Sequence, residues 1–298
     1  MYSLLKERSV SPLIEELLRH GPVVTDGAWG TQLQQLGLSS GDCPDAWNLT
    51  HASQVEKVPR AYVEAGSRIV LTNTFRANRL ALASYGVAQS VVEINRRGVE
   101  ISLQAAGERA LVFASIGPSG KMLLTEEVSR DELQQAFEEQ AAALAEAGAA
   151  GLVVETMSDL AEAKIALAAA KSTGLPVVAC MVFDSGKDLD RTLMGDSAQR
   201  VAKELTEAGA DVIGANCGQG ISSYINVCSQ LRAATALPLW IKANAGVPQI
   251  VEGEVVYRTT AEEFAQFAPA LVTAGAQFIG GCCGTNPDFI SRLREAIS

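Results

Sequence analysis

Four segments of this chain repeat one pattern: EAGSRIVLTNT (64–74), EAGAAGLVVET (146–156), EAGADVIGANC (207–217) and TAGAQFIGGCC (273–283). In each, a helical stretch closes on Ala-Gly, where the glycine suits a left-handed C-terminal cap, and an apolar strand follows. Counting on from that glycine (Gly66, Gly148, Gly209, Gly275), the seventh residue is Asn73, Glu155, Asn216 or Cys282. The eighth is Thr74, Thr156, Cys217 or Cys283. A helix-then-strand unit at fixed register restricts the chain to α/β architectures in which the strand ends are equivalent.

Strand-length apolar runs are expected near 22–26, 68–73, 111–116, 151–155, 177–182, 211–216, 239–243 and 277–282. Amphipathic segments such as 131–146 and 196–207 lie between them, and an additional N-terminal helix over 3–19 precedes the first strand. Eight strands with interleaved helices predict a single (β/α)₈ barrel. No proline- or serine-rich linker divides the sequence, so residues 1–298 read as one domain. A doubly wound open sheet also alternates strands and helices, but it usually carries a GxGxxG phosphate loop after its first strand. Here DGAWGTQL (26–33) has only two of those glycines, at the wrong spacing. In a barrel the C-terminal strand ends converge on one face. Polar residues at one register of otherwise apolar strands are poor core material and good site material.

Composition narrows the class further. With 48% hydrophobic and 19% charged residues the chain can bury a large core. Its 24 basic and 34 acidic residues leave a net charge of −10 and no basic run, which argues against nucleic-acid binding. The start, MYSLLKERSV, lacks a signal peptide's apolar stretch. The most apolar run, around 141–154, is broken by Glu146 and too short for a bilayer, so a cytoplasmic protein without membrane contact is expected.

The six cysteines are Cys43, Cys180, Cys217, Cys228, Cys282 and Cys283. Cys180 and Cys228 read as small buried apolar residues. Cys217, Cys282 and Cys283 end two of the repeated strands, and three thiols on one rim suit zinc, with a fourth position left open as in catalytic sites. A zinc ion held by three thiolates is a weak Lewis acid, but it can bind a substrate thiol as thiolate and leave the sulfur electron-rich, which points to alkyl transfer onto sulfur. Three reduced cysteines, or a vicinal disulfide at Cys282-Cys283, are the alternatives. His20 and His51 read as surface residues rather than ligands.

The remaining rim residues suggest a pocket for an amino acid. Asp26, Gly27 and Ala28 offer a carboxylate and backbone N–H groups, with a turn-capping role for Asp26 as the alternative. Glu155 could pair with an α-ammonium, or serve as a helix cap. Asn73, Thr74 and Asn216 could bind ligand or orient the thiolates. Trp29 and Phe75 could wall the pocket.

Taken together, DGAWGTQL (26–33), LTNTF (71–75), VVETMSD (153–159), GANCG (214–218), KANAGVP (242–248) and GGCCGTNPD (280–288) resemble the zinc-dependent homocysteine S-methyltransferase family over nearly the whole chain. The resemblance implies a (β/α)₈ barrel, zinc on Cys217, Cys282 and Cys283, and homocysteine sulfur as fourth ligand. It places the substrate carboxylate near Gly27 and Ala28, and the amino group near Glu155 and Asp26. The implied reaction is an in-line transfer of a methyl group to homocysteine sulfur, giving methionine. Within the family the donor can be betaine, S-methylmethionine, or methylcobalamin recharged by methyltetrahydrofolate. The cobalamin route implies a corrinoid partner protein, because these residues contain no folate or cobalamin domain. Trp29 and Arg76 depart from the family pattern, and an inward-pointing Arg76 would disfavour a cationic donor. Two other functions compete: methyl transfer to a different thiol, and a non-catalytic subunit of a corrinoid methyltransferase system.

Overall fold

In the computed structural model, residues 11–251 and 254–297 are described. The strands in chain order are β1 Val23–Val24, β2 Ile69–Val70, β3 Leu111–Ile116, β4 Gly151–Met157, β5 Val177–Met181, β6 Val212–Cys217, β7 Leu239–Ala243, β8 Gln249–Val251, β9 Glu254–Val256 and β10 Ala276–Gly281. Eight of them form one parallel sheet in the order β1-β10-β7-β6-β5-β4-β3-β2. A parallel bridge between Thr25 and Ile69 brings the two ends of that order together. The chain is therefore a nearly closed (β/α)₈ barrel, as the repeat predicts.

The helices form where capping chemistry allows. The segment expected at 131–146 is the helix Arg130–Glu146, opened by a capping box between Ser129 and Glu132. The segment expected at 196–207 is Ala198–Ala208, whose N-terminal Arg200 N–H is accepted by the Ser197 hydroxyl. The four repeat glycines, Gly66, Gly148, Gly209 and Gly275, have φ of 103°, 98°, 104° and 109°. A side chain at these turns would be strained, which explains why the repeat keeps glycine there.

Each of the eight barrel strands sends at least one apolar side chain into a single inner cluster: Val23, Ile69, Phe113, Val153, Val178 with Cys180, Val212, Trp240 and Phe278. Trp240 lies between Phe113 and Phe278, with ring centroids 6.3 and 5.3 Å away. Truncating such a side chain to alanine typically costs about 3–5 kcal/mol. The leading helix, Pro12–Leu18, adds Ile14 and Leu17 to this cluster and stoppers the barrel's N-terminal end. Part of the helix expected over 3–19 falls before residue 11, outside the described residues.

Two features differ from the expected strands. β1 and β2 are two residues each rather than five and six, because side chains replace the ladder beyond them. The Leu71 N–H is accepted by Asp26 Oδ2 at 2.8 Å, and the Ser115 N–H by Thr72 Oγ1 at 3.1 Å. The second difference is an antiparallel hairpin, β8–β9, between β7 and β10. Its strands are too short to give a periodic signal.

Candidate active site

The C-terminal strand ends enclose a cavity of about 340 Å³ whose lining includes Gly27, Ala28, Asn73, Glu155, Lys242 and the three rim cysteines. Trp29, Phe75 and Arg76 also face it. The sulfurs of Cys217, Cys282 and Cys283 all lie within 4.8 Å of one another, close enough for one metal ion. Cys217 Sγ and Cys282 Sγ are 3.2 Å apart. β7 ties them together through the backbone. Ala243 O accepts from Cys282 N at 2.7 Å, Asn244 N donates to Cys217 O at 3.1 Å, and Ala245 N donates to Cys283 O at 2.9 Å.

Strand irregularity aims the side chains. The β4–β5 register shifts between Val154 and Met157, a bulge that re-aims Glu155. Thr156 and Cys217, both eighth residues of the repeat, have φ of 59° and 63°. Left-handed backbone is uncommon for non-glycine residues and marked for a β-branched threonine, so it must be held in place. Asn216 holds it: its Oδ1 accepts from Thr156 N at 2.7 Å and its Nδ2 donates to Thr156 Oγ1 at 2.6 Å. The same Nδ2 faces the sulfurs of Cys217 and Cys282 at 3.7 and 4.0 Å. Asn216 thus orients the thiols from behind.

The glycines of GGCCG are filled by neighbouring side chains rather than by a ligand. A Cβ at Gly281 would collide with Thr285, and one at Gly284 with Tyr257. Thr285 Oγ1 donates to Cys282 O at 2.8 Å and accepts from Ala28 N at 3.1 Å, linking the cysteine loop to the loop after β1. Gly27 is equally confined, since a Cβ there would stand 2.7 Å from the Tyr62 hydroxyl.

Asp26 is fully buried and does not line the cavity. Its Oδ1 pairs with Lys242 Nζ, while Oδ2 accepts from Leu71 N and, at 2.9 Å, from Trp29 Nε1. Thr74 is also turned away: its hydroxyl contacts that of Thr72 and donates to Ser115 O. Asn73 faces the cavity, but its Nδ2 is committed to Pro44 O at 2.7 Å and Asn48 Oδ1 at 3.0 Å. His20 and His51 are exposed, and Cys180 and Cys228 are buried, as expected. Cys43 packs against the small cluster of Ala77, Leu82, Val91 and Ile94, apart from the three thiols.

Sequence reasoning missed Lys242 and Asp45. Lys242 was legible as a charged residue inside the apolar run LWIKA. Asp45 carried no such signal; its place on the cavity wall comes from a loop, and its Oδ1 accepts from Arg76 N at 3.1 Å.

The electrostatics follow from burial. Burial pushes the Glu155 carboxyl up to about 7, against the pull of Lys242 and of the Ser115 hydroxyl that donates to it. Burial likewise raises Asp45 to about 6. For Lys242 burial opposes the charge, yet Asp26 and Glu155 outweigh it and hold the ammonium above its ordinary range. Cys283, which accepts hydrogen bonds from the Cys217 and Cys282 thiols, is held well below the usual thiol range, whereas those two donors are pushed up. A soft cation bound by the three sulfurs would favour their deprotonated forms. Asn244 Oδ1, buried beside Cys217, has no hydrogen-bond partner among the described residues. Three soft sulfur donors within reach of one ion suit a borderline cation such as zinc.

Fold and site define a (β/α)₈ barrel with a three-thiol metal-binding geometry at the C-terminal ends of its strands. Residues 23–297 match the homocysteine S-methyltransferase family, and the chain belongs to that family. It is 28% identical over 302 aligned residues to methionine synthases of Mycobacterium leprae and Mycobacterium tuberculosis. The match covers 95% of this chain and 25% of each of those proteins, so the chain spans about a quarter of their length. The fold is similar to that of the homocysteine methyltransferase MmuM from Escherichia coli in its metallated form. The TM-score is 0.78 at 22% identity, covering 95% of this chain and 99% of that one. A more distant barrel, the carboxyl transferase domain of Rhizobium etli pyruvate carboxylase, matches at TM-score 0.54 and 13% identity, covering 93% of this chain and 46% of that one. Among the described residues no helix is long and apolar enough to cross a membrane.

Proposed function

We propose that this protein transfers a methyl group to the sulfur of homocysteine, giving methionine, with zinc held by Cys217, Cys282 and Cys283. The carrying observation is the three-thiol cluster on the wall of a cavity that also presents a buried carboxylate, Glu155. Zinc on three thiolates supplies a soft centre that keeps a substrate thiol deprotonated at neutral pH without making its sulfur a poor nucleophile.

The chain's own residues do the rest. Asn216 orients the Cys217 and Cys282 sulfurs. Glu155 offers its carboxylate to the substrate ammonium, whose positive charge favours ionisation of a carboxyl that burial otherwise keeps near half-protonated at neutral pH. Gly27 and Ala28 give a wall without bulk, and Trp29 and Phe75 limit water around the reacting sulfur. In the reaction a bond forms between substrate sulfur and the methyl carbon as the donor's bond to that carbon breaks. The demand on the protein is alignment.

Arg76 borders the cavity but lays its guanidinium over the Tyr85 ring, so it does not rank the donors, and betaine and methylcobalamin presented by a corrinoid partner are the two that this reading carries. The test is methionine formation by zinc-loaded protein from homocysteine with betaine, S-methylmethionine or methylcobalamin in separate reactions. Cys217→Ala is expected to lose both zinc and turnover; a variant that keeps tightly bound zinc and normal turnover overturns the ligand assignment. Glu155→Ala is expected to raise the KM for homocysteine. An unchanged KM favours a thiol without an α-amino group.

A further inference from the structure

We infer that Thr156 is a positioning residue whose hydroxyl engages the Cys217 sulfur, so that the methyl group is directed to the substrate thiol rather than to the protein's own zinc ligand. This inference rests on the zinc and methyl-transfer reading and extends it.

In that reaction the three cysteine sulfurs and the substrate sulfur are all nucleophiles at one cavity, and only the substrate's should be methylated. Transfer forms a sulfur–carbon bond from a sulfur lone pair, while the bond from that carbon to the donor breaks and its electron pair leaves with the donor. A thiolate whose lone pair already accepts a hydrogen bond is stabilised and attacks more slowly.

Thr156 on β4 and Cys217 at the end of β6 both line the cavity. Asn216 Oδ1 accepts from the Thr156 backbone N–H at 2.7 Å, and that bond fixes which way the amide faces. Its Nδ2 then stands 2.6 Å from Thr156 Oγ1 and can only donate to it, because an amide NH₂ has no acceptor. The single hydroxyl proton must therefore go elsewhere. Among the described residues the one remaining partner of that hydroxyl is Cys217 Sγ, 3.8 Å away.

The other two sulfurs have donors as well. Asn216 Nδ2 faces Cys282 at 4.0 Å, and the Tyr257 hydroxyl donates to Cys283. Thr156 is the member of this set with a visible backbone cost. Its φ of 59° is a left-handed conformation that a β-branched residue rarely adopts, and strain of this kind clusters at functional positions.

The test uses zinc-loaded protein without homocysteine, with zinc content measured for every sample, and limiting methyl iodide as the probe. The attacking thiolate displaces iodide, and peptide mass spectrometry reads methylation of Cys217 relative to Cys283 in the same sample. Thr156→Val deletes the hydroxyl but keeps the branched shape, and it is expected to raise that ratio about tenfold. Thr156→Ser keeps the hydroxyl and should stay within about twofold of wild type. Thr156→Ala carries the same expectation as the valine variant and replaces it if that variant does not fold. An unchanged ratio in zinc-loaded protein lacking the hydroxyl overturns the inference alone, as does an equal rise in the serine variant. Wild-type protein that takes up no zinc refutes the reading on which the inference rests, and the inference with it.

Discussion

The Asp26–Lys242 pair gives the sharpest test of how this barrel tolerates charge at its centre. Both side chains are essentially excluded from solvent, and Lys242→Met keeps the stem's volume while deleting the ammonium. Breaking one partner of a buried pair typically costs about 3–5 kcal/mol, because the remaining charge is left uncompensated. Asp26 would still accept from Leu71 N and Trp29 Nε1, which places the expected loss at the low end, about 3 kcal/mol. For a 298-residue chain the unfolding entropy is about 0.6 kcal/mol/K, so the melting temperature of metal-free, reduced protein should fall by about 5 °C. Adding Asp26→Asn removes the stranded carboxylate, and the double variant should recover most of that loss. Thermal melts followed by circular dichroism read both numbers. If the single variant melts within about 1 °C of wild type, or if the double variant is no better than the single, the pair is not the compensated buried charge described above.

Three further outcomes follow from the geometry. Gly281→Ala drives a Cβ into Thr285 and should destabilise by about 2–3 kcal/mol, seen as a lowered melting temperature; an unchanged melt refutes the close packing of the cysteine loop. Asp45 is raised by burial from 3.8 to about 6, so its stabilising contribution is complete below its ordinary value and is lost as pH rises through about 6, about 3 kcal/mol in all. Asp45→Asn should flatten that part of the stability-against-pH curve, and a wild-type minus variant difference that is constant with pH contradicts the shift. Chelated, air-exposed protein should form a Cys217–Cys282 disulfide, because those sulfurs are 3.2 Å apart; non-reducing peptide mapping that finds only Cys282–Cys283 linked, or all thiols free, goes against this.

Much of the molecule was legible before folding because its signals are local. Helix-Gly-strand periodicity depends on capping and burial within about a dozen residues, and it repeats at fixed register. Cys217, Cys282 and Cys283 stood out because thiols at the ends of apolar strands are conspicuous, and the barrel brings equivalent ends together. What each neighbour does was not legible, because it depends on residues far apart in the chain. Asp26 and Lys242 are separated by 216 positions, and only barrel closure makes them partners. Thr74 and Asn73 look like site residues by register, yet β2 ends early and their polar groups are drawn into bonds with Ser115, Pro44 and Asn48. Sequence by itself determined the barrel, the family and the thiol triad, since each rests on patterns written along the chain. Tertiary structure alone decided which carboxylate faces the cavity, where the buried cation stands and which N–H groups are already taken, because hydrogen-bonding capacity is finite and only the folded neighbours show how it is used.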